Sequence, residues 1–275
     1  MTIRKAMMKP RNQFRLLAVL AAAIAAFAAA APTAGAATPA PGYTQFAGCP
    51  SPAENPNITS CQRTIITSGY IKLGNKKVPI NKPLVLSGGT GVEGAGFSYN
   101  SQGGLSKTQL QVPGGVIGLT GLDWLVNFLD IDSLQLFSEA QLAGTPSFNG
   151  PENVTLPLKF RLINPVLGSS CYIGSNTNPV VLNLTTGTSG KLTGKSPEYV
   201  FHPSTIILTG LNGTFVDNTF TAPGATGCKL TLFGFIPISL NSVVNSSSGL
   251  PAGPGVNEAV QNYDLEVVES ALVYP

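Results

Sequence analysis

The residues in this sequence best suited to nucleophilic chemistry are its cysteines and its single histidine. Cys171 lies between small polar residues in LGSSCYIGS, and a reactive thiolate there would need a nearby base. His202 precedes a proline, which favours extended backbone at that position. The sequence also has no G-x-S-x-G motif for a serine nucleophile. We therefore predict no catalytic residue and interpret His202 as a surface or packed side chain.

The cysteines have a second interpretation as structural bridges. Cys49, Cys61, Cys171 and Cys228 are an even number, as expected for two disulfides in an exported protein. Three pairings are possible. Cys49 with Cys61 is the local choice, and Cys171 with Cys228 would then form the long-range bridge.

Two further patterns bear on cofactor and metal chemistry. Gly89, Gly91 and Gly94 have G-x-G-x-x-G spacing, but more glycines and polar residues follow where a dinucleotide site needs a helix, so a flexible surface loop is predicted. Asp130 and Asp132 are a close acidic pair that supplies too few oxygen ligands for calcium. With one histidine and paired cysteines, zinc is also disfavoured. We predict no metal and no cofactor.

The N-terminal segment predicts export. Five basic residues precede an uncharged run rich in alanine and leucine at 16–31, and small residues follow, so residues 1–36 are interpreted as a signal peptide cleaved after Ala36. Removing five of the 16 basic residues leaves 11 against 13 acidic ones, so the formal charge of +3 becomes −2. This balance gives no support for nucleic-acid binding. We expect a secreted, extracellular or envelope-associated protein with no transmembrane segment after cleavage.

The elements that must position any site are mainly strands. Residues 37–60 are predicted to be a Pro-rich N-terminal segment and 61–275 a single β-rich domain. The clearest strand is VTLPLKFRL, in which every second residue from Val154 is apolar, and Pro157 places it at an edge or a bulge. Strands are predicted at 63–73, 77–86, 107–112, 154–163, 180–185, 204–211, 229–240 and 263–273. The fold class is all-β, an antiparallel β-sandwich or distorted barrel with two disulfides.

One helical insertion is predicted at about 121–143, where apolar residues recur at helical spacing. Trp124 and Phe128 add apolar side chains on further faces of this helix. We favour the interpretation of this insertion as a core plug or a cap over an open end of the sheet. The alternative is a lid over a cavity for an apolar ligand.

Two segments carry a resemblance to a known group of proteins. CYIGS at 171–175 and ATGC at 225–228 resemble segments of a family of secreted actinobacterial proteins without an established activity. The resemblance implies secretion, a β-rich structure and a disulfide between Cys171 and Cys228, and it implies no catalytic residue.

These observations favour a non-catalytic protein of the cell surface or exterior. Its expected role is structural, adhesive or envelope-binding, with a cell-envelope glycan or lipid as the partner. The first alternative is an extracellular carrier of apolar, lipid-like ligands, and the second is an extracellular hydrolase.

Overall fold

Antiparallel strands form most of the structure. The computed structural model describes residues 37–91, 96–115, 135–150, 152–232 and 234–275, and residues Thr38–Pro275 form one unit. The strands are β1 (Ile58–Leu73), β2 (Lys76–Pro79), β3 (Leu84–Gly91), β4 (Phe97–Ser98), β5 (Gly104–Leu105), β6 (Gln109–Gln111), β7 (Phe137–Leu142), β8 (Ser147–Phe148), β9 (Asn153–Ile163), β10 (Tyr172–Ile173), β11 (Val180–Thr185), β12 (Thr188–Ser189), β13 (Leu192–Thr193), β14 (Glu198–His202), β15 (Ile207–Asp217), β16 (Ala225–Thr226), β17 (Lys229–Leu232), β18 (Ile236–Ser239) and β19 (Glu258–Glu269). The helices are α1 (Asn241–Ser248) and α2 (Ser270–Val273). The predicted all-β class is confirmed.

One large sheet contains most of these strands. Its main path runs β16-β10-β9-β11-β15-β19-β1-β3-β4, and β7 lies on the other side of β9, with β6 beyond it. The sheet curls into a half-barrel, so that β2 approaches β6 and β5 approaches β7. Apolar side chains on its inner face form the main core. The long strands β1, β19 and β15 are adjacent and make up the middle of the sheet.

One disulfide attaches the N-terminal segment to β1, and the other joins the residues that precede β10 and β17. Cys49 pairs with Cys61 and Cys171 pairs with Cys228, which confirms the predicted pairing. The first bridge lies in a second core with Phe46 and α2. The Tyr274 hydroxyl donates a hydrogen bond of 2.9 Å to the Cys49 carbonyl there. Residues 38–57 are therefore held against the C-terminal helix.

The alternation of β9 is as predicted, but its position in the sheet is not. Val154, Leu156, Leu158, Phe160 and Leu162 are all buried, and the intervening residues are half-exposed. β9 is not an edge strand, because β11 and β10 pair with one side and β7 and β8 with the other. Pro157 lies between the part of β9 that pairs with β8 and the part that pairs with β7. Its carbonyl accepts a hydrogen bond from the N–H of Ala143. The missing N–H of proline therefore falls at an interruption of the ladder, where no partner strand needs it.

Part of the predicted helical insertion is wrong. Residues 116–134, which include Trp124, Phe128 and both aspartates of the close pair, lie outside the described residues. Phe137–Leu142 is strand β7, which pairs with β6 and β9. The apolar spacing at 134–142 fits a helix and a buried strand equally, and hydrogen bonding to two neighbouring strands favours the strand.

The predicted surface loop at the glycine-rich motif is also wrong where the chain is described. Gly89 and Gly91 belong to β3, which pairs with β1, whereas Gly94 lies outside the described residues. Gly89 is buried, and a Cβ atom there would lie 2.4 Å from the side chain of Ile58 and 3.0 Å from the sulfur of Cys49. This glycine allows close packing on the disulfide and does not provide a flexible loop.

Several predicted strand boundaries also change. Residues 229–240 form the hairpin β17–β18, and 77–86 divides between β2 and β3. β19 begins at Glu258, and the chain is helical by Ser270. β14, which pairs with β15, was not predicted. Gly234, with φ of 79°, forms the turn between β17 and β18. Because the residues on both sides of this glycine are mainly apolar, the sequence pattern does not show where one strand ends and the next begins.

Candidate ligand-binding cavity

The main cavity of the described structure has its floor on β1, β19 and β15. Cross-strand pairing places Gln62 beside Val267 and Val267 beside Leu208. The next inward row contains Thr64, Leu265 and Gly210. Inward-facing residues of a strand recur every second position, so these rows form a regular apolar surface.

A third row closes the floor with aromatic rings. Ile66 pairs with Tyr263, which pairs with Gly213. A Cβ atom on Gly213 would lie 2.6 Å from the Tyr263 ring, so this ring lies directly over the glycine. The same ring stacks on Phe215, with centroids 3.9 Å apart and planes inclined by 5°. The absent side chain of Gly213 therefore determines where the tyrosine lies.

The opposite wall comes from the other arm of the curled sheet. Phe148 of β8 pairs with Val154 of β9, and both face the cavity together with Gly150 and Thr90. The volume of the cavity is about 510 Å³. This size lies within the usual range of small-molecule sites, roughly 300–1,000 Å³.

The cavity opens to solvent beside the β14–β15 hairpin. Tyr199 pairs with Gly210 and is 44% exposed, and Leu208 is 37% exposed although both line the cavity. Phe201 pairs with Leu208 farther along the hairpin and is 56% exposed. The mouth is therefore bordered by apolar side chains.

Two buried polar atoms belong to cavity-lining residues and have no hydrogen-bond partner among the described residues. They are Oη of Tyr263, a residue only 1% exposed, and Nε2 of Gln62, which is 9% exposed. Burial raises the pKa of the Tyr263 phenol well above its ordinary range, with smaller contributions from Tyr199 and Glu152. The Tyr263 hydroxyl is therefore protonated at neutral pH and can donate a hydrogen bond. An unpartnered buried polar group costs stability. Both atoms have almost no accessible surface, so a molecule in the cavity does not reach them in this arrangement of side chains.

The sequence-predicted residues lie away from this cavity. Both disulfides are outside its lining. His202 is exposed on β14, with Nε2 3.0 Å from Oγ1 of Thr209, and it does not line the cavity. Trp124 and Phe128, the predicted lid residues, cannot be placed because they lie outside the described residues.

The cavity was only partly visible in the sequence. The alternation around Tyr263, Leu265 and Val267 predicted one apolar strand face, and that face forms part of the floor. Gln62 and Thr64 were missed. The sequence does contain a signal for them. Gln62 and Thr64 are polar, yet they occupy every second position of β1 before Ile66 and so share its buried face.

Further features of the described chain bear on other kinds of site. The described residues contain no cluster of three or more histidine, cysteine, aspartate or glutamate side chains able to hold a metal ion. Within the same residues, no helix has the length and apolar character required to cross a membrane. Comparison with known proteins gave no match, either to a family model, to a curated protein or to a solved structure.

Proposed function

We propose that this protein binds an apolar small molecule in the cavity between β1, β19 and β15 and acts outside the cell as a carrier. The observation that carries the proposal is a volume of about 510 Å³ with largely apolar walls and a mouth bordered by apolar side chains. An apolar pocket of this size that opens to solvent is the usual form of a small-molecule site.

The proposal describes binding without catalysis. The lining residues are apolar side chains, amides, hydroxyls and a glycine, so they include no acid, histidine or cysteine that could act as a base or a nucleophile among the described residues. A carrier needs only a shaped apolar site and a few polar contacts that orient its ligand.

Export is part of the proposal. The basic and apolar segment at 1–36 supports it, and the two disulfides support it because such bonds persist in oxidising compartments. We expect the protein recovered outside its host cells to begin at Ala37, which N-terminal sequencing would check. An intact Met1 on the exported protein would contradict the predicted cleavage.

Binding can be tested with N-phenyl-1-naphthylamine, an uncharged dye whose fluorescence increases in apolar surroundings. We expect the purified protein to bind it, and Val267→Trp to weaken binding by at least about tenfold, because the indole would occupy the cavity. Val260→Trp is the matched control, since Val260 is also half-buried on β19 but belongs to the opposite set of alternating positions. Circular dichroism would confirm that both variants fold.

Two results would refute the carrier proposal. One is the absence of dye binding to the folded protein, and the other is equal binding by Val267→Trp and the unsubstituted protein. Native mass spectrometry of protein purified from its own host supplies an independent measurement, in which we expect a co-purifying apolar ligand.

Exposed apolar side chains favour envelope contact as a second candidate function. Phe201 on the β14–β15 hairpin is 56% exposed, and Phe235 at the turn of the β17–β18 hairpin is 74% exposed. Such side chains suit a lipid surface better than a glycan. Co-sedimentation with phospholipid vesicles should therefore decrease when both are replaced by serine and stay unchanged in Tyr99→Ser, which alters an exposed aromatic residue elsewhere.

A further inference from the structure

Strand β14 lies at an edge of the large sheet. Among the described strands its only partner is β15, which pairs with Glu198–His202 over the full length of β14. All five residues of β14 are exposed. Because the residues of a strand direct their N–H and C=O groups alternately to its two sides, the side of β14 that faces away from β15 offers backbone groups to a further strand.

β14 also lacks the features that usually protect an edge strand. It contains no proline and no lysine, and its pairing with β15 shows no bulge. Its three central residues, Tyr199, Val200 and Phe201, are exposed and largely apolar. β18 is exposed along its whole length as well, but it contains Pro237, which cannot donate a hydrogen bond to a further strand. β14 is therefore the better suited of these two strands to pair with another chain.

Two prolines limit the register in which a further strand can pair. Pro197 precedes β14 and Pro203 follows it, so the five residues between them can join a ladder. A second copy of β14 fits this length when the two strands are antiparallel and related by a two-fold axis at Val200. Pro197 then lies opposite Pro203 of the second copy. A shift of two residues in either direction would bring a proline opposite Tyr199 or Phe201.

The same register matches the side chains of the two strands. Glu198 would lie opposite His202 of the second copy, and the two-fold axis repeats this pair at the other end of the interface. The carboxylate can accept a hydrogen bond from the imidazole, which can also carry a positive charge. On the other face of the sheet, Tyr199 would lie opposite Phe201 of the second copy, and aromatic cross-strand pairs of this kind stabilise a sheet. β14 is therefore complementary to itself in charge and in apolar contact.

The paired strands would also border the cavity mouth. Tyr199 and Leu208 line the cavity beside this hairpin, and Phe201 pairs with Leu208. In the two-fold arrangement, Phe201 of the second copy would lie next to Tyr199 at that mouth. Apolar side chains that are exposed in one copy would therefore be covered by the other, which is favourable.

We propose that β14 pairs with β14 of a second copy across a two-fold axis at Val200, which makes the large sheets of the two protomers continuous. Five strand residues from each copy make a smaller interface than the roughly 20–30 residues a side of a standard stable complex. The dimer is therefore reversible, with a dissociation constant of about 10–100 μM. This inference goes beyond the carrier function and does not depend on it.

Sedimentation velocity of the purified exported protein tests the association at concentrations from about 1 to 500 μM. We expect a reversible change from monomer to dimer across this range, and a protein that stays monomeric throughout would overturn the proposal. Phe235→Ser is the control for exposed aromatic residues. Phe235 lies in the turn of the β17–β18 hairpin, so its replacement should leave the dissociation constant unchanged. Loss of the dimer in Phe235→Ser would contradict pairing through β14.

An exchange of charges tests the register. His202→Glu would place two glutamates opposite each other at both ends of the interface, so it should weaken the dimer by about tenfold. Adding Glu198→Lys to this variant should restore the dimer, because a lysine then faces each glutamate. Both residues are exposed, so both variants should fold, which circular dichroism would check. An unchanged dissociation constant in His202→Glu would contradict this register, and so would a double variant that dimerises no better than His202→Glu.

A cysteine at the two-fold axis gives an independent test. All four native cysteines are in disulfides, so Val200→Cys introduces a single thiol. Directly opposed residues of antiparallel strands have Cα atoms about 4.5–5.5 Å apart, a separation that a disulfide can span. We expect Val200→Cys to form a covalent dimer in a glutathione redox buffer, whereas Tyr99→Cys, which alters an equally exposed residue elsewhere, should remain mainly monomeric. Equal dimer formation by the two variants would overturn the proposal.

Discussion

Glu258 should make a large, pH-dependent contribution to stability. This buried carboxylate begins β19, and its Oε1 atom lies 2.7 Å from Nζ of Lys191 and 3.5 Å from Nζ of Lys72. The hydrogen bond from Lys191 is the main cause that lowers the pKa of Glu258 from 4.5 to about 2, and the hydroxyl of Tyr70 and the charge of Lys72 lower it further. Burial opposes this change without cancelling it.

The expected magnitude follows from this change in pKa. A tenfold change in an acid dissociation constant corresponds to about 1.4 kcal/mol, so a pKa of about 2 in place of 4.5 corresponds to about 3 kcal/mol. Solvent weakens this interaction, because 11% of the Glu258 side chain is exposed and Lys191 is largely exposed. We therefore expect Glu258→Gln to lower the free energy of unfolding by about 2 kcal/mol at pH 7.

The sign of the pH dependence follows from the lowered pKa. The ionised carboxylate stabilises the folded protein fully above its unfolded pKa of 4.5, and this stabilisation is lost as pH falls toward about 2. We would measure the urea unfolding of Glu258→Gln and of the unsubstituted protein between pH 7 and pH 2.5. The difference between their free energies of unfolding should stay constant down to about pH 5 and become smaller below it.

Glu198→Gln provides the matched control. Glu198 forms an exposed ion pair with Lys195 at 3.2 Å, and its side chain is 71% exposed. Its replacement should lower the free energy of unfolding by less than about 0.5 kcal/mol. A difference between the Glu258 variant and the unsubstituted protein that stays constant down to pH 2.5 would refute the reasoning, and so would equal effects of the two substitutions at pH 7.

Three further predictions concern the scaffold. Replacing Cys171 and Cys228 together by serine should lower the free energy of unfolding by roughly 4 kcal/mol, because the bridge closes a loop across a sequence separation of 57 residues; urea unfolding measures this loss. Gly89→Ala should lower the melting temperature, because its Cβ atom would overlap the packing around the first disulfide. Deletion of residues 270–275 should lower the melting temperature as well, because it removes Tyr274 and its hydrogen bond to the Cys49 carbonyl from the second core.

The glycine prediction has a control variant, and the other two predictions each have a result that would contradict them. Gly253→Ala places a Cβ atom where nothing lies within 4 Å, so it should be nearly neutral. Unchanged stability of the double serine variant would contradict a structural role for the bridge. A truncated protein that melts at the same temperature as the full chain would show that the second core contributes little.

Local sequence patterns determined the class of fold and the strand faces. In β9, five apolar residues alternate with polar ones, and because a strand repeats every two residues this pattern specifies which side is buried. The face of β19 that contains Tyr263 and Leu265 was also predicted for the same reason. Cysteine spacing favoured the correct disulfides, since the closest pair in sequence closes the shortest loop.

Tertiary structure decided which neighbours each strand has. Pro157 suggested an edge or a bulge. β9 has partners on both sides and is not an edge strand, because the proline coincides with an interruption of the ladder. β7 was predicted as helix because a short apolar run fits both periods, and only the open hydrogen-bonding edges of β6 and β9 favour a strand there. Strand partners are separated along the chain, and no local pattern encodes them.

The cavity depends on this long-range register most of all. Gln62 and Tyr263 lie about two hundred residues apart in sequence and share one floor because β1 pairs with β19 in a particular register. A shift of β19 by one residue would turn Tyr263 away from Gly213 and place it on the opposite face of the sheet from Gln62. The sequence alone determined that these strands have a buried face, whereas the pairing of distant strands and the curl of the sheet decided that this face lines a cavity.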